Sequence, residues 1–416
     1  MQNAKLWQRL LGVEATVVES VFFDEEAGAI VASVRPRKGA AKLRCGRCGL
    51  RCPGYDRGEG RRQWRTLDLG SVPTWLEADS PRVSCVDHGV VVAQVPWARH
   101  GAGHTRMFDD MVAWLATHCS KSAVTEVMRV AWRTVGAIAE RVVADAQELK
   151  DPLAGLTRIG IDEISYKKGH KYLIVVVDHD SGNLVWAKAG RDMKTLGGFF
   201  DTLGDDRCGK ITLVSADGAT WIAGVVKARC PKATLCMDPF HAVKWCTDAL
   251  DEVRREVWNA ARKGGMKTVA ADLKGARYAL WKNPEDLTAN QNAKLSGIAT
   301  TNKQLYRAYL LKEQFRQVFK LRGEAGIALL KAWLAWACRC QIPAFVTLAK
   351  TIRDYRPAIE AALTHGLTNA RVESVNTKIR LLQRVAFGYR DPEALIAMAM
   401  LDLGGCCPEL PGRRAA

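Results

Sequence analysis

Three acidic residues stand where a folded chain could hold divalent metal ions. Asp162 follows the run 157–161 and Asp217 follows the run 211–215, and each run has the character of a buried strand. Glu373 lies in a basic segment whose pattern predicts a helix. Carboxylate oxygens are ligands that Mg²⁺ and Mn²⁺ prefer. Two such ions can drive in-line phosphoryl transfer on nucleic acid, so we expect these three acids to bind two Mg²⁺ or Mn²⁺ ions and to be catalytic.

The elements around these acids are predicted in a defined order. Residues 171–178 and 184–189 predict a hairpin that forms a three-strand meander with the Asp162 strand. Next come a helix at 193–203, the Asp217 strand at 211–215, a second helix at 220–229 and a short strand at 233–237. This order resembles the ribonuclease H-like fold of DDE transposases and integrases, an α/β fold with a mixed sheet. In that fold the three acids lie on the first strand, just after the fourth strand, and on a later helix.

The chain between Asp217 and Glu373 is too long for such a core alone. The spacing of apolar residues over 243–365 predicts helices almost throughout. Four domains are predicted. They are a zinc-binding module at 1–92, a helix-turn-helix region at 105–150, a catalytic core in two parts at 155–242 and 366–405, and a helical insertion domain at 243–365.

A Cys-x-x-Cys pair and a Cys-x-x-His pair predict a zinc site near the N-terminus. Cys45 and Cys48 form the first pair, and Cys85 and His88 form the second. Each tight turn aims two ligands at one ion, and two turns close a tetrahedral structural site. Cys52 is an alternative fourth ligand in place of His88. A redox dithiol and unrelated surface thiols are the other interpretations, but the spacing of the second pair favours Zn²⁺.

A helix-turn-helix region is predicted after the zinc module. Residues 122–128 and 134–146 have helical patterns, with a tight turn at 130–132 between them. Arg133 near the start of the second helix is a candidate DNA contact. A small helical linker bundle is the alternative interpretation.

Other basic side chains are placed to contact DNA phosphates near the acids. Lys167 and Lys168 follow the Asp162 strand, and three more lie on the Glu373 helix or its continuation: Lys378, Arg380 and Arg384. A solvated basic face is the alternative for each of them singly.

The composition agrees with a nucleic-acid partner. The 416 residues carry a formal net charge of +17 and have a pI of about 9.4, and a basic excess favours polyphosphates through counterion release. No apolar run has the length of a membrane helix, and the N-terminus lacks a secretory signal. We therefore expect a cytoplasmic protein that joins the nucleoid when it binds DNA and that does not contact membranes. The odd number of cysteines, 13, favours metal binding and buried thiols over disulfides.

The motifs together resemble those of one transposase family. They are the Cys45/Cys48 knuckle, the helix-turn-helix region and the segments GIDEISYKKGHKY, VSADGATW, CMDPFHAVKW and NARVESVNTKIRLLQRVAFGYRDPEALIAMAM. Over nearly its whole length the chain resembles a bacterial insertion-sequence DDE transposase of the ISL-three (ISL3) family. The resemblance implies cut-and-paste movement of a DNA element, recognition of its terminal inverted repeats, dependence on divalent metal, and catalysis by Asp162, Asp217 and Glu373. It also implies two cysteines in the second zinc pair, whereas this chain has His88 beside Cys85.

A fourth acid, Asp238, competes for the second catalytic position. Related transposases carry a Cys- or Asp-x-x-His motif beside the site, and Asp238 with His241 matches it. We therefore expect these two residues to support the site or to position DNA. Glu163 should face the other side of the sheet if its strand continues.

The combined expectation is a transposase that binds its inverted repeats and target DNA and catalyses strand cleavage and strand transfer. We expect a homo-oligomer, a dimer, in the complex that pairs the element ends. A catalytically silent DNA-binding regulator derived from a transposase is one alternative, and a metal-dependent nuclease of the same fold is another. The intact acids weigh against the first, and the zinc and helix-turn-helix modules weigh against the second.

Overall fold

The computed structural model is an α/β structure that describes residues 4–37 and 43–413. The predicted module at 1–92 also includes 1–3 and 38–42, which lie outside the described residues. Within the described part of the chain, no helix has the length and apolar character needed to cross a membrane.

The contacts divide the chain into two compact units. The first contains the chain up to Pro152 together with the chain from Leu382 onward, and the second is Leu153–Leu381. The sequence-based boundaries group 366–405 with the catalytic core, whereas the contacts group the residues from Leu382 with the N-terminal part.

The first unit combines two small sheets with a group of helices. Its elements up to Pro152 are α1 Ala4–Leu10, β1 Thr16–Asp24, β2 Ala29–Pro36, β3 Gly54–Asp56, β4 Arg61–Leu69, β5 Val72–Asp79, β6 Arg82–Cys85, β7 Gly89–Val92, α2 Arg106–His118, α3 Lys121–Met128 and α4 Trp132–Leu149.

The larger sheet of this unit has the order β1-β2-β5-β4, with β2 parallel to β5 and the other pairs antiparallel. Alternate residues of β5, Thr74, Leu76 and Ala78, are buried. This period of two is what a strand with one face in the core requires. The core beneath it contains Trp64 and Trp97. The smaller sheet is antiparallel, in the order β3-β6-β7.

Helices α2, α3 and α4 follow the predicted helix-turn-helix region. The hydroxyl of Ser120 caps α3 by accepting the Ala123 N–H at 3.3 Å. Helix α3 ends at Arg129, whose φ of 53° lies in the left-handed region. Helix α4 then begins at Trp132 rather than at 134, so the connection between the two helices is shorter than the pattern predicted. A buried stripe that includes Ile138 packs α4 into the unit.

The second unit begins with a five-stranded mixed sheet. Its first elements are β8 Arg158–Lys167, β9 Lys171–Asp178, β10 Leu184–Ala189, α5 Met193–Leu203, α6 Asp205–Cys208, β11 Leu213–Ala216, α7 Thr220–Arg229 and β12 Thr234–Met237. The strand order is β10-β9-β8-β11-β12, with β8, β9 and β10 antiparallel and β11 parallel to both β8 and β12. One face packs on α5 and α7 through a core that includes Ile159, Ile161 and Phe199.

The rest of the second unit is helical. The helices are α8 Pro239–Lys263, α9 Lys267–Gly275, α10 Arg277–Trp281, α11 Ala289–Thr301, α12 Lys303–Lys320, α13 Gly323–Ala337, α14 Pro343–Asp354, α15 Arg356–His365 and α16 Ala370–Val385, with a 3₁₀ turn at Pro284–Asp286. Trp333 is fully buried in their shared core, and its indole N–H donates to the Leu311 carbonyl at 2.8 Å. The helix α17 Pro392–Leu403 belongs to the first unit, where it packs on α4 and α2.

Gly160 of β8 lets α16 approach the sheet. A Cβ atom at this position would lie 2.3 Å from Val372 Cγ2 and 2.8 Å from His179 Nε2. Both neighbours are buried and have little room to move. A side chain here would therefore push α16 away from β8.

We expect Gly160→Ala to lower the free energy of unfolding by about 1–3 kcal/mol, the usual cost of overpacking. Gly224→Ala is the matched control, because Gly224 lies inside α7 and a methyl group there would meet no described heavy atom within 4 Å. A helical alanine in place of glycine stabilises by about 0.5–1 kcal/mol. Thermal and urea unfolding measure both variants. Equal stability of the two would contradict the close approach.

Candidate active site and metal centres

The four predicted zinc ligands lie together at one end of the smaller sheet. Cys45 and Cys48 sit in a turn where the Arg47 N–H donates to Cys45 Sγ at 3.4 Å. Cys85 ends β6, and His88 lies in the turn that leads to β7. All four ligand atoms are within 4.8 Å of one another.

Their separations match a tetrahedral zinc site. Cys48 Sγ lies 3.7 Å from Cys85 Sγ, and His88 Nδ1 lies 3.6 Å from Cys85 Sγ and 3.8 Å from Cys45 Sγ. A tetrahedron with ordinary Zn–S and Zn–N bonds has edges of about 3.8 Å between sulfurs and about 3.5 Å between sulfur and nitrogen. The His88 contact also lowers the pKa of the Cys85 thiol to about 6, which favours the thiolate that binds metal. Cys52 is not in the group, and its thiol contacts the Leu50 carbonyl at 3.3 Å.

Asp162 lies inside β8, the central strand of the five-stranded sheet, half-buried under α16. The strand continues to Lys167, so the expectation that Asp162 ends it is wrong. Its Oδ1 accepts the Glu163 N–H at 2.8 Å, and its Oδ2 accepts Asn376 Nδ2–H at 2.8 Å. The pKa of the Asp162 carboxyl is raised to about 6, above all by burial and also by the negative charges of Asp217 and Glu373, which together outweigh the backbone hydrogen bond and the positive charge of His241. The carboxylate of Glu163 pairs instead with Arg191.

Asp217 follows β11 directly, as predicted. Its Oδ1 accepts the Ala219 N–H at 3.0 Å, which shapes the turn into α7. Two aromatic residues fix the position of Gly218. The Tyr355 hydroxyl donates to its carbonyl at 2.7 Å, and Trp245 leaves no room for a side chain at this position. The turn that presents Asp217 is therefore supported by α8 and by the start of α15.

Glu373 lies in the first turn of α16 and is the most exposed of the three acids. Its side chain is 58% exposed and accepts a 2.9 Å hydrogen bond from Arg380 Nη1. Its charge nevertheless acts on Asp162. Among the described residues, the only group of three or more Cys, His, Asp or Glu ligands within 4.8 Å is the cysteine and histidine group above. The three acids thus form a looser cluster around Asp162.

A chain of buried polar groups supports this cluster. His241 Nδ1 lies 3.1 Å from Asp238 Oδ2, and this contact above all raises the pKa of His241. Asp238 Oδ1 accepts the Asn369 N–H at 3.3 Å. The Ser215 hydroxyl donates to Asn369 Oδ1, and His179 Nε2 lies 2.7 Å from Ser215 Oγ. The chain joins the ends of β9, β11 and β12 to the residue before α16.

The donor set fits divalent cations. It consists of hard carboxylate oxygens that repel one another, and Asn376 Oδ1 is a buried oxygen next to them with no hydrogen-bond partner among the described residues. Such a cluster is stabilised by a positive ion.

The predicted phosphate contacts are all on the surface. Arg133, Lys167, Lys168, Lys378, Arg380 and Arg384 have exposed side chains. Arg380 is the one of these six for which an ion pair is seen in the described structure, with Glu373.

Comparison with known proteins identifies the three regions. The family model of DDE catalytic domains, described as "Transposase", matches residues 159–399. The model of the "helix-turn-helix domain of transposase family ISL3" matches 93–143, and that of the "zinc-finger of transposase IS204/IS1001/IS1096/IS1165" matches 42–88. The chain belongs to the ISL3 family of transposases.

Full-length relatives agree with this assignment. The transposases for insertion sequence element IS1557 from two strains of Mycobacterium tuberculosis are 57% identical to the chain, covering 99% of it and 98% of their own length. The transposase for insertion sequence element IS1001 of Bordetella parapertussis is 27% identical over 94% of the chain and 96% of its own length. The predicted family, the DNA transposase activity and the binding of DNA are thereby confirmed.

Sequence reasoning missed two asparagines of this ISL3 transposase, Asn369 and Asn376. Both lie within the segment that carries Glu373, seven positions apart. Asn376 lies inside α16 and Asn369 is the residue before it, and the side chains of both form hydrogen bonds to residues of the sheet. Their partners, Ser215 and Asp162, could not be identified without the fold.

We expect the double variant Cys45→Ser, Cys48→Ser to lose bound zinc and specific end binding while the second unit stays folded, because a small zinc module depends on its ion for folding. Metal analysis, circular dichroism and DNA-binding titrations measure these effects. Cys52→Ser is the control and should keep its zinc. Absence of zinc from the intact protein would refute the assignment.

We expect Asp238→Asn to reduce DNA cleavage by about 10–100-fold, the usual loss for a group that supports a metal ligand. Asp217→Asn should abolish cleavage, because it would remove a charged carboxylate from the candidate metal site. Single-turnover cleavage assays compare the two. An inactive Asp238→Asn beside an active Asp217→Asn would exchange their roles.

Proposed function

We propose that this transposase binds the terminal inverted repeats of its insertion sequence and cuts and joins DNA strands with Asp162, Asp217 and Glu373. The observation that supports this most directly is their convergence. Asp162 and Asp217 are presented by the neighbouring strands β8 and β11, and Glu373 by α16. The negative charges of Asp217 and Glu373 act on Asp162. A carboxylate whose pKa is raised by burial and by neighbouring negative charges is stabilised by a bound cation.

The proposed cofactors are two Mg²⁺ or Mn²⁺ ions. When bound, such ions activate the attacking oxygen and stabilise the leaving oxygen of an in-line phosphoryl transfer. The residues of the chain then have separate tasks. Asp162 and Asp217 offer oxygens from the sheet, and Glu373 offers one from the helix. Asp238 orients His241 beside them through the 3.1 Å contact.

The proposed fold of the core is ribonuclease H-like. The sheet order β10-β9-β8-β11-β12, with three antiparallel strands followed by two parallel ones, supports this. So do the positions of the acids on the first strand, after the fourth strand and on a later helix. We propose 155–242 with 366–405 as this core, 243–365 as the insertion, and 1–92 and 105–150 as the modules that recognise DNA.

The proposed zinc ion is structural and is held by Cys45, Cys48, Cys85 and His88. The near-tetrahedral separations support it, as does the match to a zinc-finger model. Exposed cations then contact phosphates, with Arg133 on α4 of the helix-turn-helix and the lysines and arginines of β8 and α16 near the acids. We propose that two copies of the chain pair the element ends, in the nucleoid of the cytoplasm.

We expect Asp162→Asn, Asp217→Asn and Glu373→Gln each to lower cleavage of duplexes that carry the element ends by at least about 10³-fold, since metal-ion catalysis contributes several kcal/mol to the transition state. Each variant should bind the ends about as well as the wild type. Gel assays of cleavage with Mg²⁺, Mn²⁺ or excess chelator, and anisotropy titrations, measure the two properties. Asp201→Asn is the matched control, because Asp201 is an exposed acid of the same unit that pairs with Arg229.

Three results would change the proposal. Full cleavage in excess chelator would exclude the two-metal mechanism. End binding without any cleavage by the wild type would indicate a silent regulator. Cleavage of duplexes irrespective of their ends would indicate a nuclease.

A further inference from the structure

Asn376 is a fully buried polar residue of α16, one turn after Glu373. Its amide Nδ2–H donates to Asp162 Oδ2 at 2.8 Å. The two residues are 214 positions apart, so this bond depends on the complete fold of the unit.

The carboxylate of Asp162 determines which way the Asn376 amide faces. An ionised carboxylate only accepts hydrogen bonds, so the NH₂ group and not the carbonyl oxygen of the amide must face it. The other Asp162 oxygen is fixed by the Glu163 N–H at 2.8 Å. Both oxygens of Asp162 are thus oriented by N–H donors, which leaves their remaining lone pairs for a cation.

The carbonyl oxygen of Asn376 lacks a donor. Asn376 Oδ1 is buried and accepts no hydrogen bond from the residues that the structure describes. A buried acceptor without a donor is costly, and such groups are rare in native proteins. The acids beside it cannot satisfy it in their ionised form, because they are acceptors too.

A hydrated divalent cation would supply the missing donor. Mg²⁺ in proteins usually keeps several of its waters, and each bound water has two O–H donors. We propose that Asn376 is a positioning residue of the cation site: its NH₂ group holds Asp162, and its carbonyl oxygen accepts a hydrogen bond from a water on the divalent cation. This inference rests on the proposed function of Asp162.

The docking of α16 also rests on contacts that do not involve Asn376. The helix is also anchored by Asn369, which bonds to Asp238 and Ser215, by Val372 against Gly160, and by Arg371, which donates to the Asp180 carbonyl at 3.1 Å. A change at Asn376 should therefore affect the cation site more than the fold.

The test is Mn²⁺ binding to the zinc-loaded full chain, measured by electron paramagnetic resonance. Asn376→Leu keeps the approximate shape of the side chain and removes both hydrogen-bonding groups. We expect it to weaken Mn²⁺ binding by about 10–100-fold, the usual effect of losing a group that orients a metal ligand. Its thermal midpoint and its DNA-end binding should stay near wild type, because the other anchors of α16 remain. In cleavage assays, the half-saturating metal concentration should rise more than the maximal rate falls.

Two further variants complete the design. Thr377→Ala is the matched control, an exposed neighbour on the same helix, and should bind Mn²⁺ as the wild type does. Asn376→Thr keeps a hydroxyl that can donate to Asp162, and its Mn²⁺ affinity should lie between those of Asn376→Leu and the wild type.

The possible outcomes distinguish a failure of the role proposed for Asn376 from a failure of the proposed function. If Asp162→Asn loses Mn²⁺ binding while Asn376→Leu keeps wild-type affinity, the role of Asn376 is refuted and the proposed function stands. If Asp162→Asn binds Mn²⁺ as tightly as the wild type, both are refuted. If both Asn376 variants unfold, Asn376 serves the fold rather than the cation, and the inference is refuted.

Discussion

The close contact between α16 and β8 is the constraint on which the arrangement of the three acids in the second unit depends. Gly160 leaves the space that Val372 fills, and the Asn376 amide bonds to Asp162 across the same contact. A helix any further from the sheet would carry Glu373 away from the two strand acids. The geometry of the acids is thus set by packing, and the cost is a glycine inside the central strand, where it lacks a side chain to pack and weakens the strand.

A buried network of polar side chains fixes the relative positions of the strands and helices that carry the acids. The segment from His179 through Ser215 and Asn369 to Asp238 is buried, and each member has at least one hydrogen-bonding partner. Apolar surfaces can slide over one another, whereas hydrogen bonds in a buried network have defined lengths and directions. The network ends at His241, beside the acids. It therefore fixes the start of α16 and the start of α8 relative to the same strand ends.

Local patterns in the sequence were sufficient to predict the strands of the five-stranded sheet and to select the candidate acids. The β-branched run of β9 and the acids that follow the apolar runs of β8 and β11 are signals carried by neighbouring residues, as are the two ligand pairs around Cys45 and Cys85. Partners distant in sequence were not predictable. The pattern of α17 shows a buried apolar helix but not that it packs on α4, and the left-handed Arg129 that shortens the turn before α4 has no strong sequence signature.

The separation of Asp162 from Asn376 also orders events during synthesis. The strands that carry the first two acids are made well before the helix that completes the site, with 214 positions between the two hydrogen-bonded residues. At ordinary translation rates that interval lasts roughly 10–40 s. A nascent or truncated chain that stops before α16 therefore contains the zinc-finger and helix-turn-helix segments but only two of the three acids. On the proposed function, strand cutting therefore becomes available only after α16 has been made.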